Sequence, residues 1–232
     1  MLAPQAQICT SVSSGQQQEN REIYELRTYD LVPGKMNDYI TETTAGVHLR
    51  TVHSEMIGFW TVDIGGPNKV FHLWKYDSFE HRSRVCTALR DDKAWQDVVS
   101  TLTTFINKMD VEIAYLIPWC QLRKTEEKGV YELVSFQMKP GGPELWDEAL
   151  KSFIHSQVCP GYTNLIGVFQ TEYGLLDRVH VLWWHKDPDS CAAGKRLAQE
   201  DPEVVAVVRE YTRFLVSQKN MLLVPASFSP LQ

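Results

Sequence analysis

The chain has 232 residues, 44% of them hydrophobic and 22% charged, enough for one large or two small cores, so disordered and collagen-like classes are excluded. Its 23 Lys and Arg against 29 Asp and Glu leave a formal net charge of −6, opposite in sign to what nucleic acid or an anionic membrane surface attracts. No apolar run approaches the roughly 20 residues of a membrane-spanning helix, and five cysteines (Cys9, Cys86, Cys120, Cys159, Cys191), odd in number and without CxxC, suit a reducing compartment better than a disulfide framework or a zinc ribbon.

Residues 1–21 are rich in Ser, Gln and Ala and lack periodicity, which predicts a disordered tail or a targeting remnant. Ile23 to Leu31 reads as a strand ended by Pro33-Gly34. Met36, Tyr39, Ile40 and Val47 predict a helix running into the mid-fifties. Gly58 to Ile64 and Lys69 to Tyr76 are strands joined by Gly65-Gly66-Pro67-Asn68, a hairpin turn. Asp77 with Glu80 forms a capping-box pattern for a second helix. Its stripe is Trp95, Val98, Val99, Leu102, Phe105 and Ile106, with a break at Asp91-Asp92, and a strand from Glu112 to Trp119 closes the unit.

The same order then recurs. Tyr24-Glu25-Leu26 is echoed 107 residues on by Tyr131-Glu132-Leu133, and Leu116-Ile117-Pro118 returns at the same offset as Leu223-Val224-Pro225. Ile57-Gly58 reappears as Ile166-Gly167, and Val70 to Trp74 as Val179 to Trp183, both 109 residues on. Four ordered matches at nearly one offset indicate a duplicated unit: residues 22–122 and 130–232, joined by the charged segment 123–129, read as a solvated linker. In the second copy a strand starts at Val130, a helix at Pro143, and hairpin strands span Asn164 to Glu172 and Arg178 to His185. A final helix is capped by Asp201 with Pro202 at its first position, and a strand from Met221 to Pro225 ends the unit.

A βαββαβ unit is ferredoxin-like, with helices on one sheet face. The fold class is therefore α+β: tandem ferredoxin-like repeats forming a dimeric α/β barrel, closed within one chain or between two. Trp60, Val62, Trp74 and Tyr76 in the first copy, and Phe169, Trp183 and His185 in the second, are the expected residues of the face where the sheets meet.

The repeated Y-E-L, the Gly58-Phe59-Trp60 strand with Phe71-His72-Leu73-Trp74-Lys75-Tyr76-Asp77, Tyr115 to Trp119, Gln137 to Pro143, and Met221 to Pro230 resemble the NIPSNAP family, most of all its shorter, third-type branch. The resemblance covers residues 22 to 232. It implies a tandem α/β-barrel protein of the mitochondrion, in the matrix or associated with it, acting without catalysis in vesicular transport or mitochondrial quality control by binding autophagy or trafficking adaptors. The N-terminus departs from the family pattern in lacking an Arg-bearing presequence, which leaves the cytosol as the alternative location.

The resemblance carries over no catalytic residue, and no catalytic, cofactor-binding or metal-binding group is assigned from the sequence. Candidates for a ligand pocket are His48, His53, Trp60, Trp74, Trp183 and His185. Five residues apart on a helix, His48 and His53 lie about 140° apart and cannot form the i, i+4 pair of a zinc helix. His72 and His185 sit on strands amid aromatics, as core histidines would. The alternative to an interaction protein is a small-molecule binder or cofactor-independent monooxygenase-like enzyme. A solid barrel would count against that alternative, and a polar cavity with a perturbed histidine would favour it. Sheet edges needing cover predict a homo-oligomer.

Overall fold

Eight strands and six α-helices, among the described residues, follow the order of a duplicated βαββαβ unit whose second helix is broken in two. The computed structural model describes residues 21–158 and 163–232. The tail expected over residues 1–21 therefore lies, Arg21 apart, outside the described residues, as do Cys9 and Cys159. The first unit is β1 (Ile23–Leu31), α1 (Met36–Thr51), β2 (Glu55–Ile64), β3 (Lys69–Tyr76), α2 (Phe79–Asp91), α3 (Lys93–Thr103) and β4 (Ile106–Leu116). The second is β5 (Val130–Met138), α4 (Pro143–Ser156), β6 (Thr163–Tyr173), β7 (Arg178–His185), α5 (Pro188–Glu200), α6 (Pro202–Tyr211) and β8 (Leu215–Pro225).

The strands close into one barrel in the order β1-β3-β2-β8-β5-β7-β6-β4, every pair antiparallel. Two seams join the halves: β2 to β8, from Trp60↔Pro225 to Ile64↔Leu222, and β4 to β6, from Ile113↔Tyr173 to Leu116↔Phe169. The barrel thus closes within a single chain. Closure also removes the free sheet edges on which the expectation of a homo-oligomer rested.

The residue alternation of each strand divides a core in the lumen from two under the helices. Tyr24, Leu26, Trp60, Phe71, Leu73, Tyr131, Leu133, Phe169, Leu182 and Trp184 point into the lumen. On the outside, α1–α3 cover Ile23, Tyr29, Phe59, Val70, Trp74 and Tyr76, while α4–α6 cover Val134, Phe136, Val179, Val181 and Trp183. The repeated glycine has a packing reason. A Cβ on Gly58 would lie 2.1 Å from the Trp60 indole, and one on Gly167 2.7 Å from the Phe169 ring, so each glycine makes room for the lumen aromatic two residues on. Both glycines follow a register shift in the β2–β3 or β6–β7 ladder.

Several expectations are corrected. Trp74, Tyr76, Trp183 and His185 face the helices, not the lumen, because both faces of these strands are buried and the apolar run carries no alternation to read. α1 stops at Thr51, leaving His53 beyond it. The cap of α2 is Ser78, whose side chain accepts from the His81 amide at 3.1 Å, rather than Asp77. Phe105 and Ile106 leave the helical stripe, since β4 starts at Ile106, and β8 starts at Leu215, six residues before the expected Met221. The break between α2 and α3 falls at Asp92, as expected, and Asp201 caps α6. Segment 123–129 is mostly exposed yet anchored: Lys124 pairs with Glu55 at 2.7 Å, and the Trp184 indole donates to the Glu127 carbonyl at 3.2 Å.

Candidate ligand site

Between the helices and the sheet of the first half lies a cavity of about 430 Å³. Its polar floor is built from alternate residues of two neighbouring strands. β1 turns Glu25 and Arg27 toward the helices, and β3 turns His72, Trp74 and Tyr76 the same way, with Glu25 directly opposite Trp74. The last turn of α1 supplies Arg50, and α2 supplies Arg82.

Glu25, 1% exposed, is the hub. Its Oε1 accepts from Arg50 Nη2 at 3.2 Å and pairs with Arg27 Nη1 at 3.2 Å, while Oε2 accepts from Arg82 Nε at 2.5 Å. Arg50 also donates to the Tyr76 hydroxyl at 3.0 Å, and its guanidinium lies 3.7 Å above the Trp74 ring. Burial alone would raise the Glu25 carboxyl, but Arg27, Arg50 and Arg82 outweigh it and hold the group below its ordinary value. Burial, reinforced by Arg27 and Arg50, pushes His72 well below the ordinary imidazole value.

The hydrogen-bonding of His72 fixes its tautomer. The Trp74 indole Nε1 can only donate, and it lies 2.6 Å from His72 Nδ1. The neutral ring therefore carries its proton on Nε2, which is buried and has no partner among the described residues. Arg27 Nε and Arg50 Nε are likewise buried and unpartnered. Three side chains lining one cavity thus hold orphan N–H donors. Among the described residues Glu25 is the only carboxylate in that lining, against Arg27, Arg50, Arg82 and Arg90. The site has a surplus of donors and of positive charge, with apolar walls from Val47, Phe59, Leu89, Trp95 and Leu102.

The second half has a counterpart cavity of about 280 Å³ with different chemistry. Glu132 stands opposite Trp183 as Glu25 does opposite Trp74. Two residues beyond each tryptophan, His185 replaces Tyr76; four beyond the helix caps Ser78 and Asp187, Cys191 replaces Arg82. Val134 and Val181 stand where the first half has Arg27 and His72. Lys195 Nζ donates to Glu132 Oε1 at 2.5 Å. A third cavity, of about 500 Å³, is lined by the lumen residues Leu26, Phe71, Leu133 and Met221, so the lumen is not filled throughout. There Glu112 pairs with His180 at 2.7 Å and Arg178 at 3.2 Å.

Of the sequence candidates, Trp74 lines the first cavity and Trp183 with His185 the second. Trp60 is wholly buried in the lumen. His48 is exposed on α1, and His53 offers its carbonyl to His81 Nε2 at 3.3 Å; neither lines these cavities. Sequence reasoning missed Glu25, Arg27, Arg50, Arg82, and Glu132 with Cys191. The signal available was the Y-E-L repeat, which puts a carboxylate in the middle of an apolar strand twice.

The NIPSNAP family profile matches residues 24–121 and 131–230, the two halves of the barrel. The chain belongs to the NIPSNAP family. This NIPSNAP chain is 53% identical to human "Protein NipSnap homolog 3A" over 234 residues, covering 100% of the chain and 94% of the relative. It is 52% identical to mouse "Protein NipSnap homolog 3B" over 237 residues, covering 100% and 96%. These relatives bear out the third-type branch. By structure, the chain is similar to a putative monooxygenase of Fusobacterium nucleatum, with TM-score 0.67 and 12% identity over 90% of this chain and 94% of that one. A putative monooxygenase of Lactobacillus acidophilus gives TM-score 0.64 and 13% identity, over 89% and 95%. At such identities the likeness is one of fold: the NIPSNAP chain shares their α/β-barrel architecture.

Proposed function

We propose that this NIPSNAP chain binds a small amphipathic anion, a carboxylate on an apolar body, in the cavity of its first half. The observation that carries the reading is the mismatch inside that cavity: one carboxylate against four arginines, with the orphan donors of Arg27, Arg50 and His72 beside apolar walls. Buried donors left without acceptors cost about 1–3 kcal/mol each, and a ligand carboxylate offers about four lone-pair sites to receive them. The volume lies in the range of small-molecule pockets. The monooxygenase-like alternative would need a base at the substrate, and the Trp74 indole already occupies the lone pair of His72. That favours binding over proton abstraction by this histidine.

Calorimetric titration with 2-naphthoate and with its uncharged alcohol tests the reading. The carboxylate should bind at least about tenfold tighter, one charge-assisted contact being worth about 1.5–3 kcal/mol, and Arg50→Gln should erase the preference. Equal affinity for acid and alcohol would refute it.

The family resemblance supports a second reading, that of a mitochondrial interaction protein in vesicular transport or autophagy signalling, with the cytosol as alternative location. The exposed Tyr173, Leu175 and Leu176 at the tip of the β6–β7 hairpin favour it, being apolar side chains presented to solvent together. Affinity capture from mitochondrial extracts should lose its specific partners when all three become Ser.

A further inference from the structure

The two halves keep a buried glutamate opposite a tryptophan but differ around it, and the second half carries a different set of ligands in the place of the arginine cluster. Glu132, His185 and Cys191 are all buried, and one ligand atom from each lies within 4.8 Å of the others, the one such group of three among the described residues. We propose that these three side chains form a zinc site whose fourth position opens into the second-half cavity.

The geometry argues for a metal over the obvious rival, a Cys–His–Glu nucleophilic relay. A relay needs the thiol and the carboxylate on opposite ring nitrogens. Here both address the same nitrogen: Cys191 Sγ lies 3.4 Å and Glu132 Oε2 3.5 Å from His185 Nε2. Zinc bonds of about 2.0–2.3 Å meeting at tetrahedral angles separate neighbouring ligand atoms by about 3.4–3.6 Å, the spacing of both contacts to His185 Nε2, while the sulfur and the carboxylate oxygen stand within 4.8 Å of each other. The second nitrogen, Nδ1, sits 3.0 Å from Thr163 Oγ1. A proton on Nδ1, donated to that hydroxyl, leaves the Nε2 lone pair facing the metal, the outer-shell arrangement typical of histidine ligands.

The other carboxylate oxygen, Oε1, is held by Lys195 at 2.5 Å and Asn220 at 2.8 Å, so Oε2 remains for the ion. Thiolate, imidazole and carboxylate together suit borderline-soft Zn²⁺ better than Mg²⁺ or Ca²⁺. Binding releases the Cys191 thiol proton to solvent. Three protein ligands beside a cavity of about 280 Å³ leave room for water or a small ligand at the fourth.

The test uses the full chain stripped of metal with a chelator. Zinc titrated in competition with a chromophoric chelator should bind at one ion per chain. Cobalt in its place should show a thiolate-to-metal charge-transfer band and the intense ligand-field absorption of a four-coordinate site. Cys191→Ser should abolish the band, while Cys86→Ser, a thiol of the other half, should leave it unchanged. Glu132→Gln should weaken zinc by more than the ~10–100-fold typical of outer-shell changes. Thr163→Val keeps every ligand and should weaken zinc by about 10–100-fold, so it tests the site even if a ligand variant fails to fold. No zinc uptake, or a charge-transfer band that survives Cys191→Ser, overturns the proposal. Naphthoate binding in the first half reads out independently, so either assignment can fail alone.

Discussion

Glu25 concentrates at one residue the balance of forces in the first cavity. A carboxylate 1% exposed would be expensive to ionise were it not for Arg27, Arg50 and Arg82 around it. Replacing it by Gln keeps the shape and leaves the buried guanidinium of Arg50, with the partly exposed ones of Arg27 and Arg82, without their counter-charge, so Glu25→Gln should lose about 3–5 kcal/mol in urea unfolding at neutral pH. The same group dictates a pH dependence. Its folded carboxyl is lowered from an ordinary value of 4.5, so the stability it contributes is present above that value and is lost as pH falls through the lower folded one. The gap between wild type and Glu25→Gln should therefore be constant from neutral pH down to about 5 and shrink below 4.5 in acid titrations followed by fluorescence. A gap that persisted unchanged into strong acid would mean that the negative charge of Glu25 is not what stabilises the fold.

The elements that wall the cavity depend on small features of sequence. α1 and α3 approach at Gly46, where an added Cβ would stand 2.6 Å from Val98 Cγ1, a stiff β-branched side chain on the facing helix. Gly46→Ala should cost about 1–3 kcal/mol by overpacking and weaken naphthoate binding, because Val47 and Val98 both line the site. Adding Val98→Ala should recover most of the loss, as expected of residues in contact. Asp92 ends one helix and begins the next, its carboxylate accepting from the Ala94 and Trp95 amides at 2.9 and 3.2 Å. Asp92→Ala should cost about 0.5–2 kcal/mol in thermal unfolding. These punctuation marks were legible in the sequence, as the break at Asp91-Asp92 and the Asp201-Pro202 start show. Which strand face met the helices was not: Val179 to His185 is buried throughout, so only the paired partner of each residue reveals where Trp183 and Trp184 point. The site itself was still less legible, since Glu25, Arg50, His72 and Arg82 come from four elements and no local spacing relates them.

At the scale of the whole molecule, the duplication that gave the fold away also determines how it holds together. Each half is a four-stranded sheet with one face against its own helices and the other, bearing Tyr24, Trp60 and Phe71 in the first half and Tyr131, Phe169 and Trp184 in the second, buried only by the opposite half. Burial of each such aromatic contributes about 1.5–3 kcal/mol, so a separated half leaves too much apolar surface in water to remain single. The same half also carries two raw edges, β2 and β4, which in the intact chain are paired with β8 and β6. Both forces have one resolution in common: a second copy of residues 22–129 can offer β4 to the partner's β2 and its lumen face to the partner's lumen face, rebuilding an eight-stranded barrel with two-fold symmetry. Residues 22–129 expressed alone should therefore sediment as a homodimer with two arginine-lined cavities and bind two naphthoates per dimer. A folded monomer would show that the helices suffice to hold the sheet, and that the lumen contributes less to stability than its aromatic packing implies.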